Sequence, residues 1–353
     1  MMAQRPTITH LQGYSEMCAN NEKRGSSQGL LRALLLSLML SLVFIPKGIR
    51  ADEVTPDRGL RLEASAKQQY IKQTLAALFQ QSASKEEPFL NVPEGWEHTS
   101  FQLDKLPVER LFNPSAASSR VLLQLHGGGY LYPLNNIYRS LALKQAKLID
   151  AREAWLVNYR LAPSYTYPAA LDDAAKVYAE ILRRGTASAD ILVSGDSAGG
   201  NLALALCLKL RDERQALPGM VHLLSPWTTL ETDSSSRRIN AERDELLGRQ
   251  SSLHGVVSRP SPYAGGLDLQ DPRLSPIYAD LTGLPPMLIQ AGGFELLLDD
   301  SLKLAEKAAQ DGVEFTLTVY PEMPHDFAIN LPKLQESVDA FRELRDFVLR
   351  YAR

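Results

Sequence analysis

Apolar and polar positions follow two alternating rhythms along most of the chain. Residues 60–82 repeat apolar positions at helical spacing without a glycine or proline, which predicts a helix. After Pro93 the pattern changes, and 101–112 (FQLDKLPVERLF) reads as a strand or hairpin leading into the fold. Short apolar runs follow at 121–126, 154–159, 191–195, 220–224, 287–292 and 315–320, each about the length of a buried strand. Longer helical patterns separate them. One opens at Pro168 and runs to about Arg184, and another starts at Ala198. A third ends at Gly312, and the last runs from Leu331 to Tyr351. This alternation predicts an α/β fold, a mainly parallel central sheet with helices on both faces.

Two segments break the alternation. The helix at 60–82 is one, and the polar stretch 228–271, with Pro260, Pro262 and Gly265–Gly266, is another. A connection that long inside a compact domain usually carries function or a substructure of its own. The two are expected to meet as a cap over one end of the sheet. The N-terminus stands apart from the fold. Ala33–Ile45 is apolar and uncharged, too short to span a bilayer comfortably but suited to the core of an export signal. Lys23, Arg24 and Arg32 precede it, Pro46 ends it, and Ala51 offers a small residue for cleavage. Ile49 departs from the usual cleavage pattern, and Met17 is an alternative start. Residues 1–51 are therefore read as a signal peptide for export to the periplasm or medium, the alternative being an N-terminal membrane anchor. Residues 52–95 form an N-terminal cap segment, and 96–353 a catalytic domain with a cap insertion around 228–271.

The leader changes the charge balance. The full chain of 353 residues carries 38 basic and 41 acidic side chains. Residues 1–51 hold six basic and two acidic ones, so the remainder has a net charge of −7 rather than −3. Neither value provides a field for nucleic acid. Of the two cysteines, Cys18 belongs to the leader, and Cys207 lies in an apolar run as an expected inert core residue. Ordinary hydrophobic (44%) and charged (22%) fractions exclude wholesale disorder.

Chemistry enters at Gly195-Asp196-Ser197-Ala198-Gly199, a G-x-S-x-G pattern between a strand and a helix. A serine on such a turn is held in a strained conformation, its hydroxyl above the sheet edge and near a helix N-terminus that favours negative charge. His126-Gly127-Gly128-Gly129-Tyr130 follows an earlier strand, and consecutive glycines can turn their N–H groups toward a developing oxyanion. The N–H of Ala198, next to the nucleophile, would complete that set. His126 itself reads as an orienting residue of the loop. Ser197 needs a histidine as general base. His325 lies after the strand at 315–320, at the sheet edge where active sites of open α/β sheets gather. His222 reads as a core histidine, and His254 belongs to the cap. The supporting acid should follow the strand at 287–292, where Glu295 and Asp299 are the candidates. Asp299 and Asp300 could instead cap the helix that follows.

With these motifs in order, the chain resembles the hormone-sensitive lipase-like group of α/β-hydrolases. The likeness rests on HGGGY (126–130), YRLAPSYTYPAALDDA (159–174), GDSAGGNLA (195–203), LSPW (224–227), DPRLSPIYADLTGLPP (271–286) and PHDF (324–327). It implies a serine hydrolase of small acyl esters, with short to medium acyl chains, that uses no cofactor or metal. Ser197 matches the nucleophile, His325 the base and Glu295 the acid; Gly127, Gly128, Gly129 and Ala198 match the oxyanion donors. Glu295 replaces the more usual Asp, and Ser164 stands where the family's LAP motif usually continues with Glu. Arg160 and Asp173 look structural. The same site serves amide or lactone hydrolysis. A small-molecule receptor on this fold would lack catalytic residues that are all present here.

Overall fold

The computed structural model describes residues 7–9, 58–82 and 92–351. The expected leader lies outside the described residues apart from Thr7–Thr9. In chain order the strands are β1 (Thr7–Thr9), β2 (Glu97–Leu103), β3 (Leu106–Phe112), β4 (Val121–Leu125), β5 (Glu153–Val157), β6 (Ile191–Asp196), β7 (Met220–Leu224), β8 (Met287–Gly292) and β9 (Phe315–Tyr320). The helices are α1 (Ala64–Ser82), α2 (Asn136–Leu148), α3 (Ala169–Arg183), α4 (Ser197–Asp212), α5 (Ser235–Ile239), α6 (His254–Ser258), α7 (Leu298–Gln310), α8 (Phe327–Asn330) and α9 (Gln335–Tyr351).

Eight strands form one sheet in the order β9-β8-β7-β6-β4-β5-β3-β2, with the three-residue β1 in parallel outside β9. β2 and β3 form an antiparallel hairpin, and β3 joins antiparallel to β5; β4 through β9 run parallel. The parallel strands are buried over their full length except at Glu153. That explains their nearly unbroken apolar runs in the sequence.

Each face carries its own apolar core, sorted by the two-residue period of the strands. Val121, Leu123, Trp155, Val157 and Val193 face α3, α4 and α7. Leu122, Ala154, Leu156, Leu192 and Leu288 face α1, α2 and α9. Full burial of one such aliphatic side chain contributes about 1.5–3 kcal/mol. Helix α2 is absent from the sequence expectations. Its start is set by Asn135, whose side chain accepts from the amides of Ile137 and Tyr138.

Two corrections concern helix starts. The last helix begins at Gln335, because residues 327–330 form the separate short α8. α7 begins at Leu298, so Asp299 and Asp300 lie inside its first turn and cap nothing. Their carboxylates hold the 228–271 insertion instead. Asp299 Oδ2 accepts from the Ser236 amide (3.0 Å), while Asp300 pairs with buried Arg237 (2.8 Å) and accepts from the Thr229 amide. On the other side, α1 docks beside α9 through Lys67–Glu336 (2.7 Å), and Gln68 donates to the Glu322 carbonyl. Glu322 belongs to the loop that carries His325.

Candidate active site

β6 delivers Ser197 to the C-terminal edge of the sheet, and α4 starts at that residue. Its φ of 49° lies in the left-handed region, uncommon for a residue other than glycine. The flanking glycines permit the turn. A Cβ on Gly195 would sit 2.2 Å from the Gly199 carbonyl oxygen, and one on Gly199 would sit 2.0 Å from that of Leu125. The elbow is thus wedged against the strand that feeds the glycine loop, which couples Ser197 and that loop mechanically. The Trp227 amide donates to the Ser197 carbonyl (3.0 Å), fixing the turn from the β7 side.

The glycine loop is pinned at both ends. His126 stacks on Tyr159 (4.1 Å), Tyr159 donates to the His126 carbonyl (2.6 Å), and His126 Nδ1 lies 2.9 Å from the Gly127 carbonyl. Burial lowers the pKa of His126 to about 4, so it is neutral at pH 7, as suits an orienting residue. Beyond the loop, Tyr130 stacks on Tyr263 and donates to Asn201, which donates to the Trp227 and Leu274 carbonyls.

The glycines do not share one role. Gly127 donates its amide to Asp196 Oδ1 (3.2 Å), so this donor is already committed. Gly128 and Gly129 have φ of 96° and 65°, and among the described residues neither amide has a partner. With Ala198 they remain the candidate oxyanion donors. Val256 of α6 presses on this loop: a Cβ at Gly129 would lie 2.3 Å from its Cγ1.

His325 and Glu295 come together from the loops after β9 and β8. Both side chains are buried, and His325 Nδ1 lies 3.7 Å from Glu295 Oε2, an ion-pair separation longer than a hydrogen bond. Catalytic hydrogen bonds are often long in the absence of substrate. Burial pushes Glu295 up to about 7, with the His325 imidazole and the Ser225 hydroxyl working the other way. Asp299, the other candidate acid, is engaged with Ser236 instead. His98 pairs with Glu109, His222 is buried in the sheet, and His254 Nδ1 donates to the Leu247 carbonyl within the insertion.

Three further carboxylates surround the imidazole, and the sequence reading missed all of them as site residues. Asp326 Oδ2 lies 3.1 Å from His325 Nε2. Asp196 is fully buried and accepts from Gly127 and from the Tyr138 hydroxyl (3.1 Å). Its pKa is held well above the usual range by burial and then by the neighbouring Asp326 charge. Asp244, from the insertion, accepts from the amides of Leu246, Leu247 and Leu296 and, at 3.4 Å, of His325. It thereby ties the insertion to the loops that carry Glu295 and His325. Asn240 assists by donating to the Gly293 and Glu295 carbonyls. Asp196 and Asp326 stand directly beside Ser197 and His325 in sequence, a signal adjacency could have supplied. Asp244 carries none. Arg160 and Asp173 do form the expected structural pair, with Asp173 buried and accepting from both the amide and the guanidinium of Arg160.

A strained serine on a strand–helix turn, a glycine loop packed against it and a buried His–Glu pair stand at the same parallel-sheet edge. Residues 122–329 match the family described as alpha/beta hydrolase fold. The chain belongs to that family, in its hormone-sensitive lipase-like group, and is a carboxylic ester hydrolase. It is 35% identical over 234 residues to an esterase of Acinetobacter venetianus, covering 66% of this chain and 75% of that one. It is 36% identical over 225 residues to an acetyl-hydrolase of Streptomyces hygroscopicus, covering 63% and 73%. An esterase structure from the bacterial hormone-sensitive lipase family superposes with a TM-score of 0.72 at 29% identity, covering 82% of this chain and 99% of that one.

Proposed function

We propose that the protein hydrolyses esters of short to medium acyl chains through a Ser197–His325–Glu295 triad and an acyl-enzyme. Ser197 Oγ attacks the ester carbonyl as His325 Nε2 takes its proton. Glu295 holds Nδ1 and stabilises the imidazolium. Gly128, Gly129 and Ala198 donate to the oxyanion. His325 then passes its proton to the departing alcohol, and water attacks the acyl-enzyme with His325 again as base. The observation that carries this reading is the Ser197 turn wedged by Gly195 and Gly199 against the glycine loop, with the His325–Glu295 pair at the same sheet edge.

Two features favour a small acyl group. Val256 crowds Gly129, which leaves little room beside the oxyanion donors. Some sequence relatives are named for acetyl groups, including an ethyl acetate hydrolase of Pseudomonas putida at 31% identity over 235 residues. A chromogenic ester series from acetyl to dodecanoyl, with an anilide and a lactone alongside, tests the reading. Highest kcat/KM is expected between acetyl and hexanoyl esters. A preference for the anilide, the lactone or the longest chains would overturn it. Residues 1–51 belong to the same proposal as an export signal or anchor, which N-terminal sequencing of the secreted form would test.

A further inference from the structure

The nitrogen that must take the proton of Ser197 is already occupied. His325 Nε2 faces Asp326 Oδ2 at 3.1 Å, and among the described residues the Ser197 hydroxyl makes no hydrogen bond to it. A ring nitrogen has one in-plane direction for a hydrogen bond, so Nε2 serves one partner at a time. A carboxylate accepts only, so this contact puts a proton on Nε2. A general base needs the lone pair there.

Asp326 is held in this position from several sides. Its φ is 51°, its amide donates to Ser225 Oγ (3.1 Å), and its carbonyl accepts from Asn330 (3.1 Å). Asp196 faces it from the end of β6, with the Tyr138 hydroxyl of α2 bound to that carboxylate. Glu295 faces the opposite ring nitrogen from the loop after β8, and Asp244 reaches the His325 amide from the insertion.

Resting on the triad reading above, we propose that Asp326 is a positioning residue that holds His325 by Nε2 in a resting, proton-loaded state, and that Nε2 must leave Asp326 before Ser197 can be activated. The consequence is a site silenced as pH falls. Burial alone would lower the imidazole pKa, but the Asp326 and Glu295 carboxylates outweigh it and raise it well above the ordinary value.

The experiment is the pH profile of kcat/KM for the full chain and for Asp326→Asn on one chromogenic ester. Removing the carboxylate should move the acidic limb to lower pH by about one unit, a usual effect of one adjacent opposite charge. The fraction of plateau activity retained at pH 6 should rise several-fold. A limb that stays where the wild-type limb stands overturns the proposal, whatever happens to the plateau. Should the variant fail to fold, ¹⁵N-histidine spectra of the wild-type chain decide. A proton on Nε2 of His325 between pH 6 and 7 supports the proposal, and a bare Nε2 overturns it. Failure of the triad reading would look different, since Ser197→Ala would then keep its activity.

Discussion

Two serine–histidine sets lie at the sheet, their serines three residues apart, one in β6 and one opening α4. Ser194 lies 2.9 Å from His222 Nδ1, and His222 Nε2 lies 3.0 Å from Gln290 Oε1. Ser197 opens α4 at the sheet edge where His325 Nδ1 lies 3.7 Å from Glu295. By hydrogen-bond geometry the first set is the better-formed triad, yet it is chemically inert. Gln290 donates its amide nitrogen to Ala340 and Glu343, so its oxygen faces His222 and fixes the proton on Nε2. Ser194 then donates to Nδ1 and accepts from Gln145 (3.1 Å). These bonds are satisfied without charge, and burial lowers the pKa of His222 to about 4. The second set is loose, lined by carboxylates and open to rearrangement. A satisfied neutral network stabilises one arrangement, whereas a base must be able to exchange partners and carry charge.

The serines give the largest contrast. Ser197→Ala should lower kcat by on the order of 10⁴–10⁶-fold with the protein still folded. Ser194→Ala should change kcat by less than about tenfold but cost about 1–2 kcal/mol of stability. Ester turnover and urea unfolding of the two variants separate the roles. A Ser197→Ala enzyme that keeps a tenth of its activity would collapse the distinction.

The acids sharpen it. Glu295→Gln converts the working set into a chemical copy of the inert one, serine–histidine–amide. Activity should fall on the order of 10³–10⁴-fold, because the amide can neither stabilise an imidazolium nor enforce the right tautomer. Asp299→Asn should cost less than about tenfold, since Asp299 binds the Ser236 amide away from the imidazole. A larger loss at Asp299 than at Glu295 would transfer the acid's role.

The contrast also explains what was readable in the sequence. The parallel strands are apolar because both faces are buried, so their positions were legible, as were the hairpin, α1 and most of α3 and α7. Ser197, His325 and Glu295 could be located because each follows one of those strands at one sheet edge. The inert set was half legible, His222 as a core histidine. Its partners Gln145 and Gln290 were not, because Gln145 lies on the unforeseen α2 and a lone glutamine in an apolar run carries no periodic signal. Asp244 was hidden for a related reason. It acts on backbone amides of Leu296 and His325, 52 and 81 residues away, and backbone contacts leave no pattern in side-chain chemistry. Nor could motif matching tell that Gly127 gives its amide to Asp196.

A further contrast bears on stability rather than activity. In an unfolded chain His222 would titrate near 6.5, and in the folded protein near 4. Between those values the unfolded state binds more protons, so stability is present above about pH 6.5 and is lost as pH falls toward 4. The difference amounts to about 3 kcal/mol for this one residue. His325 has the opposite sign: its folded pKa is raised, so its contribution is full below 6.5 and fades as pH rises through the folded value. Denaturant unfolding from pH 7 to 4.5 should therefore show a steeper loss in the wild type than in His222→Gln. The variant should be less stable at pH 7 but flatter with pH. Equal slopes would mean that His222 can be protonated in place, and that the inert set is as adaptable as the working one.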